Sequence, residues 1–174
     1  MTLEQAIQQK KAELYALPIY QQMVNGEISQ LLYLKYLREI KFIHDYIDHK
    51  SDFKDFLDMN REMSLHVDVL ELVNELYPVE ILPYGLGEDY AIFNMFQEKE
   101  KANVHAYIHY REYLESADIL KNKVPGKGRL YTFNDKQVLL QHLEENKPSD
   151  EWIEECEKAY NIRINILKEI QQEL

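Results

Sequence analysis

Turn-forming residues are scarce in this chain. Glycine and proline number five each in 174 residues, which excludes a β-rich fold with its many tight turns. Cysteine is nearly absent: Cys156 stands alone, so no intrachain disulfide can form, and a reducing, cytoplasmic setting is expected. Cations are outnumbered. The 20 Lys and Arg face 31 Asp and Glu, a formal net charge of −11. That surface repels phosphate backbones and anionic lipid, so neither nucleic acid nor a membrane is an expected partner, whereas a basic redox partner is compatible with it. No stretch approaches the roughly 18 apolar residues of a membrane span, and the first residues lack a signal peptide's apolar run. Repeats, low-complexity tracts and linkers are missing too. With 45% apolar and 29% charged residues, the chain reads as one globular domain spanning 1–174.

Helical punctuation is plentiful. Thr2-Leu3-Glu4-Gln5 has the capping-box pattern and predicts a helix to about Tyr15. Pro18 opens a short second helix, with Ile19, Tyr20 and Met23 inward, and Asn25-Gly26 ends it. Ser29 caps a long helix over Gln30 to Lys50, with an apolar stripe from Leu31 to Ile47 and His44 beside it. A turn or short helix carries Phe53, Phe56 and Leu57. A helix over about Asn60 to Leu76 follows, with Met63, Val67, Leu70 and Val73 on one side, and Tyr77-Pro78 stops it. Residues 79–87 form a loop, Glu88 to about Gln97 a helix, and about Lys101 to Lys123 another. Arg129 to Phe133 reads as extended. Asn134 caps a helix to about Glu145, and Pro148-Ser149-Asp150 begins the last, ending near Leu174. Seven or eight helices and no strand make an all-α bundle.

The richest stretch is residues 105–118. His105, His109, Glu112 and Ser116 share one helical face, while Tyr107, Tyr110 and Leu114 share another. Inward Glu and His are what metal centres in helical bundles use, so a site built on His44, His105, His109 and Glu112, completed by Glu39, Glu62 or His66, is one reading. The plain alternative is an internally hydrogen-bonded or solvated row. His44, beside an apolar stripe, reads either as a buried functional residue or as a satisfied core histidine. Tyr107, Tyr110 and Tyr113 read as packing residues with bonded hydroxyls. Lys10-Lys11 reads as a solvated pair. Cys156 lies among Glu154, Glu155 and Glu157, which disfavour a thiolate. Gly126-Lys127-Gly128 is a connector, too short for a phosphate loop.

Several stretches together resemble the heme oxygenase family. His105-Ala106-Tyr107-Ile108-His109-Tyr110-Arg111-Glu112 is similar to its distal helix, and Gly128-Arg129-Leu130-Tyr131-Thr132-Phe133 to the segment that follows. Ala159-Tyr160-Asn161 with Ile164-Asn165 resembles its closing helix, and Val24-Asn25-Gly26-Glu27-Ile28-Ser29 its early turn. The resemblance implies a heme-oxygenase-like bundle. It implies heme, a bilin or another flat apolar ligand held between the first helix and the 105–118 helix, near Lys11, His44, His109, Glu112, Tyr113 and Lys136. If the chain is an enzyme, the resemblance implies a heme-oxygenase-like oxidoreductase.

The departures fall at the family's working positions. Lys11 stands where the resemblance places the proximal histidine, and no histidine precedes His44. Glu112, Ser116 and Ala117 replace the distal glycines, Tyr113 the distal aspartate and His44 a pocket tyrosine. Glu4 and Gln8 replace basic contacts to the propionates, leaving Lys136 for that role. A lysine binds iron only after losing its proton, and moving its pKa from about 10.4 to 7 costs roughly 4–5 kcal/mol. A carboxylate at Glu112 fills space that glycine leaves open. Heme cleavage of the usual kind is therefore not expected. A non-enzymatic binding or regulatory protein, and a non-heme metal oxidase using the His/Glu row, are the alternatives.

Overall fold

The computed structural model describes all residues 1–174. Eight α-helices run in the order α1 (Leu3–Tyr15), α2 (Pro18–Asn25), α3 (Gln30–Lys50), α4 (Glu62–Leu76), α5 (Leu86–Met95), α6 (Lys99–Leu120), α7 (Lys136–Glu145) and α8 (Ile153–Gln171). Short 3-10 turns occupy Asp52–Asp55, Arg129–Tyr131 and Asp150–Trp152, and there is no strand. The all-α expectation holds. No helix is long and apolar enough to cross a membrane.

The early helices begin and end where their caps place them. The hydroxyl of Thr2 accepts from the Gln5 amide while the Gln5 side chain accepts from the Thr2 amide, closing the capping box. Gly26 ends α2 at φ 72°, a conformation that costs other residues a Cβ clash. Ser29 caps α3 through the Leu32 amide. Helices α3, α6 and α8 form the middle of the bundle. On α8 lie α1 and α2, on α3 lie α4 and α5, and α7 leans on α6. A Cβ at Gly87 would sit 2.2 Å from the Glu39 carbonyl oxygen, so only glycine lets α5 approach α3 this closely. That approach carries Tyr90 inward, towards α6.

Several details differ from expectation. Helix α4 buries Leu65, Asp68 and Leu72, while Met63 is 70% and Leu70 49% exposed. The polar anchor Asp68 decides this rotation: it accepts from both the amide and the guanidinium of Arg129, drawing its own face inward. Residues 129–131 are consequently a 3-10 turn and not extended, closed by Thr132 Oγ1 donating to the Gly128 carbonyl at 2.9 Å. Asp135, and not Asn134, caps α7, accepting from the Val138 amide. Leu57 is exposed, and Asp150 starts a 3-10 turn ahead of α8, where its carboxylate accepts from the Leu3 amide and ties the two ends of the chain together.

Candidate functional site

Helix α6 runs through the bundle with nearly its whole circumference covered: His105, Tyr107, His109, Tyr110, Glu112, Tyr113 and Ser116 are all buried. Removing such groups from water is costly unless each finds a partner. The bundle supplies the partners mainly from three other helices, α3, α5 and α8.

The first cluster surrounds His44. Its Nδ1 lies 3.0 Å from Asp48 Oδ1 and its Nε2 2.8 Å from the Tyr113 hydroxyl. Asp48, one turn along α3, also accepts from the Tyr110 hydroxyl and, through Oδ2, from the amides of Arg61 and Glu62 at 3.0 Å each. Burial pushes the Asp48 pKa up, but the charge and hydrogen bond of His44 and the other donors outweigh it and hold it below the ordinary value. Asp48 is therefore an obligate acceptor, which assigns the His44 proton at Nδ1 to it. His44 is a satisfied core histidine.

The second cluster is a chain whose direction is set at both ends. Arg163 of α8 is buried and can only donate: Nη1 to the Tyr36 hydroxyl at 2.7 Å and Nη2 to His109 Nδ1 at 2.9 Å. Burial and the Arg163 charge push the His109 pKa well below its ordinary value, so the ring is neutral and carries its proton on Nε2, 3.2 Å from the Tyr90 hydroxyl. The Tyr90 hydroxyl in turn donates to His105 Nδ1, and His105 Nε2 donates to Glu155 at 2.8 Å. Glu155 is held at a pKa of about 2 by His105, against desolvation and with help from Lys158.

The third cluster is the seam between α1 and α6. Lys11 is ion-paired with Glu115, and Arg111 bridges Glu4, at 2.8 and 3.0 Å, and Glu115 at 2.5 Å. The Arg111 hydrogen bond lowers the Glu4 pKa to about 2. Behind the seam lies Glu112. One of its oxygens is 3.4 Å from the Tyr160 hydroxyl, while Oε1 and the nearby buried Tyr20 hydroxyl have no hydrogen-bond partner. Burial raises the Glu112 pKa to about 7, against the pull of Arg163 and Lys11. The rings of Tyr15 and Tyr20 stack 4.8 Å apart, at 13° to one another.

The structure therefore separates the expected site residues. Lys11 and Glu112 meet at the seam. His109, His44 and Tyr113 lie deeper, each committed to another side chain, and Lys136 pairs with Asp118 at 2.6 Å on the surface. His44, His105, His109 and Glu112 do not converge: no group of three or more His, Cys, Asp and Glu side chains is gathered to hold a metal ion. Of the suggested completions, Glu39 accepts from the Gly87 amide, Glu62 pairs with His49, and His66 lies outside, between α3 and α4. Lys11 is half-buried in its ion pair, not a solvated lysine. It does not fit an iron ligand, because its amine is committed to the Glu115 carboxylate and α1 carries no imidazole. Cys156 is no nucleophile, since burial, with Glu155, raises its thiol to about 12. Asp48, Tyr90 and Arg163 complete these clusters without being among the expected site residues. Asp48 had a signal, standing four residues after His44; Tyr90 and Arg163, which act across the bundle, had none.

No family model matches the chain, and no curated protein sequence does. Solved structures do. Heme oxygenase-1 from the cyanobacterium Synechocystis, in complex with heme, superposes with a TM-score of 0.80 at 15% identity, covering 98% of this chain and 91% of that one. Heme oxygenase from Leptospira interrogans gives 0.76 at 16%, covering 96% of this chain and 97% of that one. The fold is heme-oxygenase-like along essentially the whole chain.

Proposed function

We propose that this chain is a binding protein on the heme oxygenase fold, taking heme, a bilin or another flat apolar molecule between α1 and α6 without iron ligation from α1. The observation that carries the reading is the pair of partnerless buried oxygens, Glu112 Oε1 and Tyr20 Oη, directly behind the seam. Buried polar groups are ordinarily satisfied, and of the six unpartnered buried side-chain oxygens these two flank the Tyr15 hydroxyl at the α1–α6 seam, where a bound molecule could take them up. The stacked Tyr15 and Tyr20 rings offer a flat wall beside them. The similar Synechocystis protein carries heme. Entry requires the Lys11–Glu115 and Glu4–Arg111 pairs to part. Partly exposed pairs of this kind are each worth about 1 kcal/mol or less, so they latch the seam without sealing it. Once the pairs open, Lys11 and Arg111 can meet the carboxylates of a tetrapyrrole. No cleavage step is assigned, because the donor set on α1 does not fit a ligated iron.

Titration with hemin and, separately, with biliverdin tests this by absorbance. Saturable one-to-one binding of either is expected, faster in Glu115→Ala, with a Soret position that Lys11→Ala leaves unmoved. If neither compound binds wild type or Glu115→Ala, the proposal fails. That result would favour a second reading, a bundle that kept the fold and lost the ligand. Its supporting observation is the cleft at the seam, about 120 Å³ between Glu4, Tyr107, Arg111 and α7, against the roughly 300–1,000 Å³ of ordinary ligand sites.

A further inference from the structure

The apolar periodicity of α4 is only half explained by the core. Leu65 and Leu72 are buried, yet Met63 and Leu70 lie on the opposite side, 70% and 49% exposed, with Val73 half-buried between the two faces. Leu70 and Val73, with His66 and Val69, form one wall of a groove of about 400 Å³ whose other wall is the outer face of α3, Arg38, Lys41, Phe42 and Asp45. A second hollow continues it past Lys41 and His66 to Met63, Asn60 and Glu62, whose carboxylate is paired with His49. The floor is apolar, with Phe42, Val69, Leu70 and Val73. The rim is basic in a chain of net charge −11: Arg38 and Lys41 face a single carboxylate, Asp45, and Lys41 reaches that only at 3.7 Å. Arg38 enters no ion pair at all. In the hollow beside Arg38, two cations against one carboxylate leave one positive charge next to an apolar trough of small-molecule size, and Glu62 lies at the other end, past Lys41.

We infer that the α3–α4 groove binds an amphipathic monoanion, an apolar chain or ring carrying one carboxylate. Phe42, Val69, Leu70 and Val73 take the tail, and Arg38 takes the carboxylate, for which its planar fork is suited. Lys41 adds a second charge from the next turn of α3, and His66 closes the rim from α4. The site lies on the outer side of α3, and its ligand is independent of whatever the α1–α6 seam holds.

Decanoate is the probe, with decanol as its uncharged counterpart, added to the full chain below their aggregation limits. Calorimetry should give saturable one-to-one binding of decanoate, and amide shifts should concentrate at residues 38–45 and 63–73. Arg38→Gln should weaken binding by ~5–10-fold, equivalent to about 1–1.4 kcal/mol. Leu70→Asp, at a half-exposed position that leaves the fold intact, should weaken it by ~10-fold or more. Each variant's thermal midpoint is compared with wild type to confirm that it is folded. Equal affinity for decanol, shifts confined to the α1–α6 seam, an unaltered affinity in both variants, or no saturable binding would each overturn the assignment. So would self-association that Leu70→Asp abolishes, which would make the groove an interface between copies.

Discussion

The face of α6 that looks into the bundle and the groove on the far side of α3 are both lined by apolar and ionisable side chains at helical spacing. On α6 every imidazole nitrogen has a partner, and Arg163 and Asp48 each serve several groups at once. In the groove Arg38 has none and Leu70 lies open. Desolvation makes the difference. An unpaired charge in the interior costs several kcal/mol, so packing recruits partners until little is left to react. A charge at the rim keeps its water and stays free to exchange that water for a ligand. The residues that look most catalytic in sequence are thus the most committed structurally, and at the seam Glu112 Oε1 and Tyr20 Oη remain unpaired, as single oxygens of Tyr33, Glu39, Tyr46 and Tyr84 do elsewhere.

Breaking the interior should have the largest consequence. Asp48→Ala strands donors from His44, Tyr110 and two backbone amides, and is expected to cost about 3–5 kcal/mol in urea unfolding. A loss below about 1 kcal/mol would mean that water can replace it. Next comes Leu65→Ala, at about 2–5 kcal/mol for a fully buried leucine, read from the same denaturation curves.

Glu112 should show itself through pH. Its carboxyl pKa is about 7 in the folded chain against an ordinary 4.5, so the folded state holds a proton that the unfolded state has lost. Stability should therefore fall as pH rises from 4.5 to 7, by at most about 3 kcal/mol, and Glu112→Gln should flatten that decline. Glu155 has the opposite sign: its pKa is lowered to about 2, so its contribution is present above 4.5 and fades as pH falls towards 2. A Glu112→Gln curve parallel to wild type between 4.5 and 7 would remove the buried carboxyl from the account.

The seam and the groove should hardly register in stability. Lys11→Ala is expected to cost less than about 1 kcal/mol, and a larger loss would make the ion pair structural and not a latch. Met63→Ser, on the same helix as Leu65 but 70% exposed, should stay within about 0.5 kcal/mol of wild type. A cost like that of Leu65→Ala would show the groove wall to be part of the core.

Much of the fold is legible because its signals are local. The Thr2 capping box, Pro18 at the start of α2, Gly26 at its end and Ser29 before α3 each act within a few residues, and the helices follow them. The same locality limits α4, where apolar residues lie on two sides and periodicity alone cannot choose between Leu65 with Leu72 and Met63 with Leu70. Asp68 and its Arg129 partner make the choice from 61 residues away. In the candidate site, His44 with Asp48 and His105 with His109 can be read as shared faces. That Tyr90 joins the two histidines of α6, or that Arg163 fixes the tautomer of one of them, cannot.

The sequence by itself determined an all-helical bundle, the limits of its early helices, and the absence of an imidazole from α1. Only the tertiary structure decided that the His/Glu row is a set of closed hydrogen-bonded clusters and not a metal centre, and that one face of α4 remains open. The reason is physical: caps and periodicity are interactions between near neighbours, whereas the protonation and freedom of a side chain depend on desolvation, which is set by whatever distant helix packs against it.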